Sequence, residues 1–181
     1  MEIIIFCMLS LPLAGLSWRS LFSLQNHGIY RWAAWECILW LAIRNRRHLI
    51  VETFDLQQLI SSVLMIASLL FVLAALWMMR KMGRVNRQRR DATLFAFEKT
   101  TALVESGIFG HIRHPMYSSL MFLAWGLCLR RVEAGLLAVT LVATGACILA
   151  AWVEEKENTA YFGEDYRRYM RRTKRFIPYL V

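Results

Sequence analysis

The residues best suited to chemistry fall in two short stretches, each at the edge of a long apolar run. The first reads Leu103-Val104-Glu105-Ser106-Gly107-Ile108-Phe109-Gly110-His111-Ile112-Arg113-His114-Pro115-Met116-Tyr117, and the second is the carboxylate pair Glu154-Glu155. Titratable groups at the threshold of an apolar helix are costly, so their presence there points to a task. Pro115 suits the first turn of a helix, where its missing N–H removes no bond, and this sets Arg113 and His114 at the positive end of that helix. Such an end is a natural seat for an anion. Glu154 and Glu155, where an apolar run returns to water, call for cationic partners. Each feature also has a plainer explanation: a basic helix start that snorkels to headgroups, and a solvated helix end. His111 and His114 are spaced like metal ligands, but no third ligand stands at a telling distance, so no metal is expected.

The elements that must position these groups are apolar. The chain has 181 residues, enough for one domain, and 57% of them are hydrophobic, above the ~45–50% of soluble domains. Three uncharged runs, 3–18, 56–79 and 134–153, approach or reach the ~20 residues a spanning helix needs. Two weaker segments, 28–43 and 115–129, bring the expected count to about five, with the first span extended to 3–22. The fold class expected is therefore all-α, an integral membrane protein with a motif loop over 80–114 and a tail over 154–181. Within the tail, 161–172 reads as a short amphipathic helix on the cytoplasmic surface, its basic residues facing membrane lipids. An odd number of spans sorts the connections into two groups, holding 17 and 5 of the 22 Lys and Arg. The positive-inside rule then puts the motif loop and the tail in the cytoplasm and the N-terminus outside, as for a bacterial inner-membrane protein.

The formal charge of +9 does not indicate nucleic acid as a partner, because the basic residues alternate with spanning runs and the cluster from Arg80 to Arg90 has no interleaved aromatics. The four cysteines, Cys7, Cys37, Cys128 and Cys147, lie inside apolar stretches without paired spacing and read as packing residues. Residues 1–18 carry no basic residue ahead of their apolar run and read as a retained span, not a secretory signal. Gly107-x-x-Gly110 lacks the spacing and context of a dinucleotide-binding turn, which excludes a soluble Rossmann-type enzyme.

The run ending Arg113-His114-Pro115-Met116-Tyr117 resembles the Arg-His-Pro-x-Tyr signature of the isoprenylcysteine carboxyl methyltransferase and phospholipid methyltransferase superfamily, which are integral membrane enzymes. Glu154-Glu155, Phe162-Gly163-Glu164-Asp165-Tyr166, Tyr169, Arg175-Phe176 and Pro178 resemble the tail pattern of the same enzymes. The likeness runs from about Met82 onward. It implies a cytoplasmic-face pocket for S-adenosylmethionine, with backbone groups around Leu103 and Val104 meeting the adenine. In such a pocket Glu154 or Glu155 would pair with the ammonium and Arg113 with the carboxylate. Tyr117 or Phe109 would face the sulfonium, and His111 or His114 would fix ribose or methionine atoms. Arg113, His114 and Glu155 are the residues expected to carry catalysis, with a lipophilic methyl acceptor drawn sideways from the bilayer. That acceptor is a phospholipid amine, an isoprenylcysteine carboxylate or another hydrophobic small molecule. An amine would need a base, which His114 or a Glu of the pair could supply. Phe109 stands where the family more often has Tyr, Gly110 where a basic residue is common, and Asn158 where Leu is usual. The competing expectation from another class is a non-catalytic polytopic protein, a small transporter or assembly factor, that keeps the fold.

Overall fold

The computed structural model describes residues 1–18, 21, 26–49, 55–82 and 103–178. They form six helices: α1 (Glu2–Ser17), α2 (His27–Asn45), α3 (Leu56–Met82), α4 (Pro115–Arg130), α5 (Ala134–Phe162) and α6 (Glu164–Arg172). Short 3-10 turns cover Arg46–His48 and Gly107–Gly110. Among the described residues the fold is all-α, with one isolated parallel bridge between Ile112 and Lys174. α1 ends at Ser17, and residues 19, 20 and 22 of the expected first span, 3–22, lie outside the described residues. The arginine cluster is described only as far as Met82.

α5 departs most from the expected boundaries. Its apolar part ends at Val153, but the helix continues to Phe162 because Glu154, Glu155, Lys156 and Glu157 are all strong helix formers. It stops at Gly163, whose φ of +61° and ψ of −130° lie in a region that glycine alone enters cheaply. The amphipathic helix therefore starts at Glu164 rather than Tyr161. It buries Tyr166 and Tyr169 and exposes Arg167, Arg168, Arg171 and Arg172.

α3 and α5, of 27 and 29 residues, are long and apolar enough to cross a bilayer. At ~1.5 Å per residue each exceeds the ~30 Å hydrocarbon core. Their side-chain distribution is inverted relative to a soluble core helix. α3 buries Ser61, Ser68, Ala75 and Met78, while Leu59, Val63, Ile66, Leu70 and Leu73 are exposed. α5 buries Ala143, Ala146, Cys147, Ala150 and Ala151 and exposes Leu141, Val142, Ile148 and Leu149. Small residues inward and large aliphatics outward fit a surrounding lipid, where close helix packing rather than burial of apolar area holds a bundle together. α1, of 16 residues, is apolar but shorter.

Polar pairs at the helix ends fix an antiparallel order. Glu2 is held by Arg44 and Arg46 at the end of α2 (2.5 and 2.7 Å). Gln57 and Gln58 donate to the carbonyls of Leu129 and Arg130 at the end of α4 (2.8 and 3.0 Å), and Arg130 donates back to Gln58 and Ser62. At the opposite end of the bundle, His27 Nδ1 lies 2.6 Å from Glu157 on α5. α1, α3 and α5 thus run one way, α2 and α4 the other. α3 packs on α4, α2 packs on α5, α1 and α4, and α4 packs on α5. α3 and α4 meet at Gly126, whose carbonyl accepts from Ser61 Oγ at 2.7 Å. Among the described residues α3 makes next to no contact with α2.

Candidate functional site

The end of the bundle that carries His27, Pro115 and Glu157 encloses a cavity of about 280 Å³, close to the lower end of the ~300–1,000 Å³ common for small-molecule sites. Helical spacing decides which side chains reach it. Arg31 and Trp35 are four apart on α2, Val72 and Met79 seven apart on α3, and Glu154, Asn158 and Phe162 form an i, i+4, i+8 stripe on α5. Leu103, Val104, Phe109 and Arg113 close it from the segment before α4, and His114, Met116, Tyr117 and Leu120 from the start of α4. Tyr166 and Tyr169 cover it from α6, because the turn at Gly163 folds that helix back.

Arg113 is held on two sides. Its Nε donates to Glu155 Oε1 at 2.8 Å, and one terminal nitrogen donates to the carbonyls of Met170 (3.2 Å) and Thr173. The other terminal nitrogen makes no hydrogen bond among the described residues, and Arg113 lines the cavity. Glu155 is 6% exposed and also receives Arg175, Nε to Oε1 at 3.1 Å and a terminal nitrogen to Oε2 at 2.6 Å. His114 Nε2 lies 3.4 Å from Glu155 Oε1, within ion-pair reach but without a hydrogen bond. His114 is buried and lines the cavity.

Both carboxylates lie beyond Val153, past the apolar part of α5. Burial pushes the Glu155 pKa up, but the nearby His114, Arg175 and Arg113 pull it down and prevail, so it stays ionised. Glu154 faces the cavity and accepts from the Tyr117 hydroxyl at 2.8 Å. Burial raises its pKa as well; His27, His114 and the Tyr117 bond lower it further, leaving an anion on the wall. Burial pushes the Tyr166 and Tyr169 phenols up, so both remain protonated donors, and Tyr169 donates to the Phe109 carbonyl at 2.7 Å.

The segment after α6 straps this wall in place. Arg113 and His114 donate backbone N–H groups to the carbonyls of Lys174 and Arg175 (2.8 and 3.1 Å), and Lys174 donates to the His111 carbonyl at 3.0 Å. Ser118 Oγ donates to the Phe176 carbonyl at 2.7 Å. Gly107 permits the preceding turn to press on α3: its φ is +61°, and a Cβ there would stand 2.9 Å from Met78 Sδ.

Of the residues singled out in the sequence, Leu103, Val104, Phe109, Arg113, His114, Tyr117 and Glu154 meet at the cavity. His111 is exposed and off it, and Glu155 stands behind Arg113 with both oxygens engaged. Arg113 has one terminal nitrogen left, not a two-nitrogen edge, to offer a ligand. Arg31, Trp35, Val72, Met79 and Asn158 were not selected. The Glu154-Asn158-Phe162 spacing was there to be read, whereas nothing in the sequence ties α2 to the motif.

A family model described as phospholipid methyltransferase matches residues 56–165, more than half of the chain and all of α3, α4 and α5. The chain belongs to the phospholipid methyltransferase family. No curated protein and no solved structure matches it. The matched region supplies the motif segment and both carboxylates, while Arg31, Trp35, Tyr166 and Tyr169 complete the same cavity from outside it.

Proposed function

We propose that the chain is a membrane methyltransferase that takes its methyl group from S-adenosylmethionine and passes it to a lipophilic acceptor, with the site at the cytoplasmic face. The observation that carries this reading is one cavity in which the Glu154 anion, Arg113 and His114 meet a ring of aromatic side chains. These residues fit the donor's chemistry: an anion for its ammonium, a guanidinium nitrogen for its carboxylate, and Phe109, Tyr117 and Phe162 for its planar and cationic parts. Bound there, S-adenosylmethionine supplies an activated methyl group.

The residues of the chain have the simpler task of aligning donor and acceptor and keeping water out. Val72, Met79 and Leu120 form the dry side, and the strap from Thr173 to Phe176 fixes the polar side. For an amine acceptor, His114 or Glu154, which both line the cavity, would take the proton the amine must lose; a carboxylate acceptor needs no base. Sideways entry of a lipid is supported by the position of the cavity between Trp35 on α2 and Val72 on α3, two helices that hardly touch. The phospholipid methyltransferase family favours a phospholipid amine among the acceptors.

The test is calorimetric titration of S-adenosylmethionine and S-adenosylhomocysteine into detergent-solubilised wild type, Arg113→Ala and Glu154→Gln. Methyl transfer to phospholipid vesicles of defined headgroup is measured beside it. Saturable binding that both substitutions weaken is the expected result. Absence of binding by folded wild type would refute donor use and leave a non-catalytic member of the fold.

A further inference from the structure

We infer that Arg175 is a positioning residue that acts through Glu155 to keep the second terminal nitrogen of Arg113, a residue that lines the cavity, from closing on Glu155. This rests on the donor reading of the cavity. Arg175 does not line the cavity, yet it donates to both oxygens of Glu155, 3.1 Å to Oε1 and 2.6 Å to Oε2. It is the one hydrogen-bond donor to Oε2 among the described residues. Arg113 meets only Oε1, through Nε at 2.8 Å, and His114 Nε2 stands 3.4 Å from the same oxygen.

A carboxylate beside a guanidinium prefers two parallel hydrogen bonds. With Arg175 gone, Oε2 is a buried charged acceptor without a partner, and the nearest remedy is a small rotation that gives it the free nitrogen of Arg113. The Arg113 fork would then close on Glu155 and withdraw from the cavity. Arg175 prevents this by occupying Oε2. Its own place is fixed by the backbone, since its carbonyl accepts the His114 N–H at 3.1 Å and the neighbouring Phe176 ring lies 6.2 Å from the His114 ring. The pattern is one carboxylate spacing two arginines, so that one faces solvent and the other faces a ligand.

The experiment uses the full chain in detergent, with S-adenosylhomocysteine as the probe. Arg175→Ala is expected to weaken binding at least tenfold, Arg175→Lys to recover part of the loss, and Arg168→Ala, an exposed arginine of α6, to change nothing. In a Glu155→Gln background Arg175→Ala should add no further loss, because the residue it acts through is already altered. An additive loss there, or wild-type affinity in Arg175→Ala, would overturn the inference. If Arg175→Ala does not fold, Arg175→Lys carries the same comparison. Amide hydrogen exchange at Arg113 and His114 in the ligand-free protein separates the two readings. Exchange accelerated by Arg175→Ala in a protein that binds no probe would refute donor use and keep the positioning role; unchanged exchange would refute the positioning role itself.

Discussion

Glu154 and Glu155 are neighbours in sequence and face opposite ways, so the same conservative substitution at each should have opposite consequences. Glu155→Gln removes the charge that Arg113 and Arg175 share through three hydrogen bonds of 2.6–3.1 Å. Removing one partner of a buried pair costs ~3–5 kcal/mol. The Arg175 side chain is 31% exposed and Arg113 9%, so solvent screens part of the loss and about 2–4 kcal/mol is expected. For a chain of this size that lowers Tm by about 5–15 °C. Glu154→Gln keeps an oxygen to accept from Tyr117, so its Tm should stay within about 2 °C of wild type. It removes the anion from the cavity, however. A charge-assisted hydrogen bond is worth ~1.5–3 kcal/mol, so affinity for S-adenosylhomocysteine should fall about 10- to 100-fold. Thermal unfolding in detergent and calorimetric titration of the two variants read both effects. A Glu155→Gln protein as stable as wild type, or a Glu154→Gln protein that is destabilised yet binds normally, would refute the assignment of one carboxylate to the wall and the other to the cavity.

Gly107→Ala must place a side chain at φ +61° and 2.9 Å from Met78 Sδ, and should cost about 1–3 kcal/mol in thermal unfolding, partly relieved by adding Met78→Ala. Gly126→Ala puts a Cβ 3.2 Å from the Ser61 carbonyl and 2.7 Å from Met65, and should loosen the α3–α4 contact, read as a lower Tm and faster amide exchange in α3. Because the Glu155 pKa is held below its ordinary 4.5, its contribution to stability is complete above that pH and is lost as pH falls below it. An acid titration of Tm should accordingly show a shallower fall for Glu155→Gln than for wild type.

The apolar runs at 56–79 and 134–153 and the Pro115 start were legible because composition and a fixed φ decide them locally. α5 was cut short at Glu154 because hydropathy reports where lipid ends, and helix propensity carries the backbone on for nine more residues. Treating the tail as separate from the span left Asn158 and Phe162 out of the site, although their place in the cavity follows at once from a continuous helix. The pairing of Arg113 with Glu155 was not legible for another reason. A guanidinium and a carboxylate each suit a ligand of opposite charge, and the sequence does not say that they satisfy one another first. Arg31 and Trp35 were beyond local reasoning, since α2 meets the motif only through its packing on α4 and α5.

α3 rests on α4 and on the Gly107–Gly110 turn, while α1, α2 and α5 cohere with one another. Among the described residues, α4 and the Gly107–Gly110 turn are what join α3 to the rest of the bundle. A small shift of α3 on α4 would widen the seam beside Trp35 and leave the Glu155–Arg113–Arg175 hydrogen bonds, held between α5, the motif and the strap, in place. The proposed lipophilic acceptor would then enter beside Trp35 without loosening the residues proposed to align it.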